Sequence, residues 1–125
     1  MKDVLLVSVG GAIGALLRFI VGGLIQKNNL SFPLSTFIIN VVGSFLLSLL
    51  MYSAEYGGLV SREFRVFFAV GVLGAFTTFS SLEYESLRLL EMGESVLFLF
   101  DLLGNVIFGF GAAISGKIVA NLVWR

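Results

Sequence analysis

Four long apolar runs leave this chain little choice of architecture. Residues 4–25, 32–52, 64–82 and 96–123 are almost wholly aliphatic, aromatic or small. A helix that crosses a bilayer needs about 20 such residues. The third run continues into a charged helical tail, so its span is placed at 64–91. The connectors "QKNNLS", "SAEYGGLVSRE" and "EMGES" hold no room for a soluble domain. The expected fold is an all-α membrane protein, one domain over residues 1–125 with four transmembrane helices. Pro33, the single proline, suits the first turn of the second helix, where a missing N–H costs nothing. Asp3 spoils a basic start, and no A-x-A site follows the first apolar run, so that run is expected to be a retained span rather than a signal peptide.

Composition narrows the function. Charged residues make up 13% of the chain, against about 25% in soluble domains. Eight basic and eight acidic residues cancel, which gives no basic surplus for nucleic acid. Cysteine and histidine are absent, removing thiol nucleophiles, the commonest general base and the commonest transition-metal ligand. An enzyme is not expected.

Glycine is abundant, 15 of 125 residues. Gly10 and Gly14 form a G-x-x-x-G, the kind of small face that lets helix backbones approach closely in lipid. A four-helix bundle is thin, so a path for solute calls for a second copy. Basic residues divide five (Lys2, Arg62, Arg65, Lys117, Arg125) to three (Arg18, Lys27, Arg88) between the two sides. Orientation follows Lys and Arg excess, and so small a bias permits insertion both ways and an antiparallel dimer.

Two groups of polar residues need explaining. Thr36, Asn40, Ser44 and Ser48 recur every four residues in the second span, so they form one slowly turning stripe. Asn40 at its middle is either interhelical glue or an uncharged donor lining a path. The second group is "GAFTTFSS", residues 74–81, with hydroxyls at Thr77, Thr78, Ser80 and Ser81. Hydroxyls in hydrocarbon are costly unless paired. One or two could bond back to their own i−4 carbonyls. Four in five positions cover every face of a helix, which points to a break near 74–78, with Gly74 letting the backbone turn. Broken backbone at membrane depth belongs in buried or wet surroundings, and its free carbonyls would suit a small hard cation such as sodium. Arg18 lies roughly 21 Å along the first helix and either snorkels or lines a vestibule for anions. Glu85 could pair with Arg88, three residues on. Asp101 is placed near the rim of the fourth span with Asn105 one turn deeper, and spacing gives neither a role.

These residues resemble a known family. "GGAIGALLRF", "FPLSTFIINVVGSFLLSLL" and "GVLGAFTTFSSLEYE" are similar to the Fluc family of fluoride channels. The resemblance implies a dual-topology antiparallel homodimer in the plasma membrane (cell inner membrane) that passively exports fluoride through two pores. It implies a structural sodium ion at the dimer centre, held by the carbonyls of Gly74 and Thr77. The fluoride pore would then include Asn40, Thr78, Phe79 with its ring edge toward the ion, Ser80 and position 82. Arg18 would serve the vestibule and Glu85 the end of the polar track. The family pattern T-T-F-S-T-F reads T-T-F-S-S-L here, so Leu82 stands where a second phenylalanine is usual. That departure also admits a non-conducting or heteromeric partner subunit. A small multidrug-type exporter would need a membrane-embedded carboxylate, and the first two spans hold none between Asp3 and Glu55.

Overall fold

A computed structural model describes residues 1–28 and 31–125. Residues 29 and 30, in the first connector, lie outside the described residues. The described regular structure is helical throughout: α1 (Lys2–Ile25), a short 3-10 turn (Gln26–Asn28), α2 (Leu34–Gly57), a third span that divides in two, and α5 (Ser95–Val123). Among the described residues, four helices are long and apolar enough to cross a membrane.

α2 runs past Tyr52, the expected end, to Gly57. It stops because Gly58 adopts a left-handed conformation (φ 62°) and closes the last turn with its N–H on the Ala54 carbonyl, a conformation glycine adopts without penalty. Pro33 sits one residue outside the helix rather than within its first turn. Its φ of −76° and ψ of 64° turn the chain into α2, and its carbonyl accepts the Phe37 N–H.

The third span begins at Ser61, whose hydroxyl accepts the Phe64 N–H at 3.1 Å, an N-cap that satisfies an otherwise orphaned donor. Its first part, α3 (residues 62–76), has a wide π-helical stretch over Val66–Leu73 and one closing α-turn, Gly74–Phe76. Thr77 and Thr78 are then extended, with ψ of 157° at Thr77 and φ of −151° at Thr78. The second part, α4 (Phe79–Glu91), restarts after them. The break therefore falls within the expected window, at its C-terminal end.

Gly74 does not make that break. Its φ of −61° and ψ of −33° are helical, and an added Cβ would meet nothing nearer than the Ala69 carbonyl at 3.7 Å. The glycine that matters is Gly43 on α2, where a Cβ would run into the Thr77 methyl group. Space for the extended segment comes from the neighbouring helix.

α2 packs along α5, and α1 along α3. The expected G-x-x-x-G seam is present: Gly10 and Gly14 are buried, and a Cβ on either would strike the backbone of α3, at Phe67 or Val72. Asp3 pairs with Arg62 at 2.6 Å and Lys2 with Glu63 at 3.6 Å. These contacts place the N-terminus and the start of the third span on one side, as the grouping of basic residues required. The buried core is small, centred on Ile39, Leu73 and Phe76. Large apolar side chains such as Leu16, Phe19, Val106 and Phe110 cover the outside, as suits a chain whose solvent is lipid.

Candidate functional site: a groove at the helix break

The hydroxyl cluster is resolved residue by residue. Thr77 Oγ1 donates to the Leu73 carbonyl at 3.0 Å, the i−4 back-bond. Thr78 is the N-cap of α4, and its Oγ1 accepts the Ser81 N–H at 3.2 Å. The Thr78 hydroxyl also donates to Ser81 Oγ at 3.2 Å and lies 3.4 Å from Ser80 Oγ. Back-bonding and helix breaking thus coexist, one per threonine.

Asn40 meets the break from α2. Its Oδ1 accepts the Thr78 N–H at 2.9 Å, and its Nδ2 donates to the Thr78 carbonyl at 3.0 Å. One carboxamide thereby satisfies both polar groups of an interrupted peptide. The second Nδ2 hydrogen goes to Asn105 Oδ1 on α5 at 3.1 Å. A buried peptide group without partners costs about 1–3 kcal/mol, so the break depends on this side chain.

The same diversion strips two carbonyls of their helical donors. In an unbroken helix the Thr78 amide would bond the Gly74 carbonyl, and the Ser81 amide the Thr77 carbonyl. Here those amides bond Asn40 Oδ1 and Thr78 Oγ1 instead.

Around the break lies an open groove of about 320 Å³. Asn40, Ser44, Thr77, Thr78 and Asn105 form its polar side, Phe79 and Leu82 flank it, and no charged residue among those described lines it. Phe79 is 74% exposed at its mouth, whereas Leu82 is only 5% exposed. Gly74 lines the groove as well. Ser80 is exposed and not among the lining residues.

The remaining candidates lie elsewhere. Arg18 on α1 is half-buried and off the groove. Glu85 lines a separate cavity of about 250 Å³ with Gln26, Ser35 and Arg88. It does not pair with Arg88, which turns to Glu91 at 3.1 Å. Instead Glu85 Oε1 accepts the Thr36 hydroxyl at 2.9 Å, while Oε2 is buried with no partner among the described residues. The polar stripe of α2 therefore runs from Glu85 at Thr36, through Asn40, to Ser48, which donates to the Ala113 carbonyl at 2.6 Å. Ser44 bonds back to the Asn40 carbonyl.

Asp101, in the second turn of α5, is 0% exposed, packed between α4 and its own helix, and accepts the Ser86 hydroxyl at 2.7 Å. Asn105 donates to both its carbonyl and its carboxylate, at 2.8 and 3.2 Å. Sequence reading left Asp101 and Asn105 without roles and passed over Gly43. The four-residue spacing of Asp101 and Asn105 was the only local signal of their pairing, and nothing local aimed them at Asn40.

Residues 5–117 match the model of the CrcB-like protein family, described as Camphor Resistance (CrcB). A "Fluoride-specific ion channel FluC 3" of Methanosarcina barkeri is 47% identical over 96% of this chain and 91% of its own. A "Fluoride-specific ion channel FluC" of Thermus thermophilus is 47% identical over 100% of this chain and 94% of its own. That of Methanococcus maripaludis is 37% identical over 99% and 100%. A multi-pass membrane architecture, a broken third span and full-length similarity to these channels lead to one conclusion: the chain belongs to the CrcB family, a family of ion channels rather than enzymes.

Proposed function

We propose that the protein is a passive fluoride-selective channel that lets cytoplasmic fluoride leave the cell through the plasma membrane. The observation that carries this reading is the groove at the break, lined by amide and hydroxyl groups and, among the described residues, by no charged side chain. Fluoride is small and strongly hydrated, so a path must replace its water with donors. A fixed lysine would hold it too tightly, whereas neutral donors bind it and release it. The edge of the Phe79 ring carries partial positive charge and adds attraction without a full charge. Efflux from liposomes carrying the purified protein should be electrogenic, appearing only with a potassium shunt such as valinomycin, and chloride should not substitute. Shunt-independent efflux, or chloride moving as fast, would overturn the reading.

The conducting unit in this reading is an antiparallel homodimer with two pores. A groove open on one side, with Phe79 exposed at its mouth, is closed by a second copy. The near-balanced basic residues let that copy insert the other way up. Lysines added after Arg125 should lock one orientation, and lysines added beside Lys27 the other. Each locked form alone should be silent, and the two together active. Full flux from one locked form would call for a parallel dimer instead.

Gly74 and Thr77 fit the structural sodium ion that the family resemblance implies. Their carbonyls have lost their helical donors, and neutral oxygens suit a hard cation. When bound, the ion would supply a positive charge that offsets the dipoles of these carbonyls. The protein should then melt at a higher temperature in sodium than in N-methylglucamine salts. Equal melting in both would remove the ion from the proposal.

A further inference from the structure

We infer that Asn105 is a positioning residue whose amide oxygen holds the place of the anion beside Asn40 while the path is empty. This rests on the channel reading above. Asn40 has no spare hydrogen: one Nδ2 hydrogen is on the Thr78 carbonyl at 3.0 Å and the other on Asn105 Oδ1 at 3.1 Å. To donate to an ion in the groove it must leave one of these acceptors. The Thr78 bond is half of a two-point pairing, closed by the Thr78 N–H on Asn40 Oδ1, and losing it would orphan the broken peptide. The Asn105 bond is a single contact between two side chains that line the same groove. It is the one that yields.

Asn105 is braced to present its oxygen and not its nitrogen. Both of its Nδ2–H groups are engaged by Asp101, at the carbonyl and at Oδ1. Asp101 is fully buried, and Ser86 holds its other oxygen. An anion entering the groove takes the Asn40 N–H from Asn105 Oδ1, and the oxygen returns when the anion leaves. Asn40 is paired at every stage. The empty site then carries no bare donor, and the occupied site has a competitor that limits how tightly the ion is held. Conduction requires binding weak enough to release.

The test is single-channel current against fluoride concentration, with the protein in planar bilayers. Asn105→Leu removes the competitor and should lower the half-saturating fluoride concentration by about threefold to tenfold, the worth of one modest hydrogen bond. Asn105→Asp keeps an acceptor and adds charge, and should raise that concentration. A role in folding alone would reduce the number of active channels and leave half-saturation unmoved in both variants. The wild-type protein provides a measurement independent of variant folding. With ¹⁵N-labelled asparagine, fluoride but not chloride should shift the side-chain amide signals of Asn40 and Asn105 together. Unmoved half-saturation in Asn105→Leu, or an Asn105 signal indifferent to fluoride, overturns the inference while leaving the channel reading standing. A wild-type protein that passes no fluoride overturns both.

Discussion

The two long seams of this molecule share close glycine packing and differ in polarity. Between α1 and α3 the contact is largely backbone on backbone: Gly10 and Gly14 press against the main chain at Phe67, Gly71 and Val72, with the Ala75 methyl group beside Gly14. Between α2 and the α4–α5 pair, glycine packing (Gly116 against the backbone at Phe45 and Leu49) is joined by hydrogen bonds from Asn40, Asn105, Thr78 and Ser48. In lipid there is no hydrophobic force to bring helices together, so close packing and hydrogen bonds must do it. Packing alone suffices where the helix is continuous. Where it is interrupted, free peptide groups need partners, and only a polar neighbour can supply them. The first seam thus needs only packing, and the second must also satisfy the interrupted backbone.

The largest effect should come from the first seam. Gly14→Val places a branched side chain into the Val72 backbone, which cannot move aside as a flexible side chain can. The variant should yield little folded protein, read as loss of the monodisperse peak in size-exclusion chromatography. Folded, active Gly14→Val would mean that the seam is looser than its contacts require.

Next is Asn40→Asp, which keeps the acceptor for the Thr78 N–H and loses both donors. The Thr78 carbonyl and Asn105 Oδ1 are then unpaired. Fluoride efflux should vanish, because a carboxylate also repels the anion, and stability should fall by about 1–3 kcal/mol. Wild-type efflux from this variant would reduce Asn40 to interhelical glue.

Thr78→Val removes the cap of α4 without changing shape much. The loss should be about 1 kcal/mol, visible as a lower melting temperature, with a larger proportional effect on efflux than on stability because Thr78 lines the groove. The smallest effect belongs to Ser48→Ala, which deletes the bond to the Ala113 carbonyl. Membrane hydrogen bonds of this type average about 0.6 kcal/mol, so the melting temperature should shift slightly and fluoride current not at all. A change in selectivity at Ser48→Ala would extend the conducting seam further along α2 than the groove reaches.

The sequence by itself determined the number of spans, their approximate ends and the existence of a break in the third. Those properties depend on runs of neighbouring residues: hydrocarbon admits only long apolar helices, and four hydroxyls in five positions cannot all be satisfied on one face. It also placed Asn40 on a stripe without saying what the stripe touched. Only the tertiary structure decided which glycine makes room for the break, because Gly74 precedes the turn in sequence while Gly43 opposes it in space. It likewise decided that Glu85 meets Thr36 rather than Arg88, and that Asp101 and Asn105 stand behind Asn40. Each of these depends on where one helix lies against another. A hydrogen bond between residues 65 apart, such as Asn40 to Asn105, leaves no trace in local periodicity, since it exists only once the helices have packed.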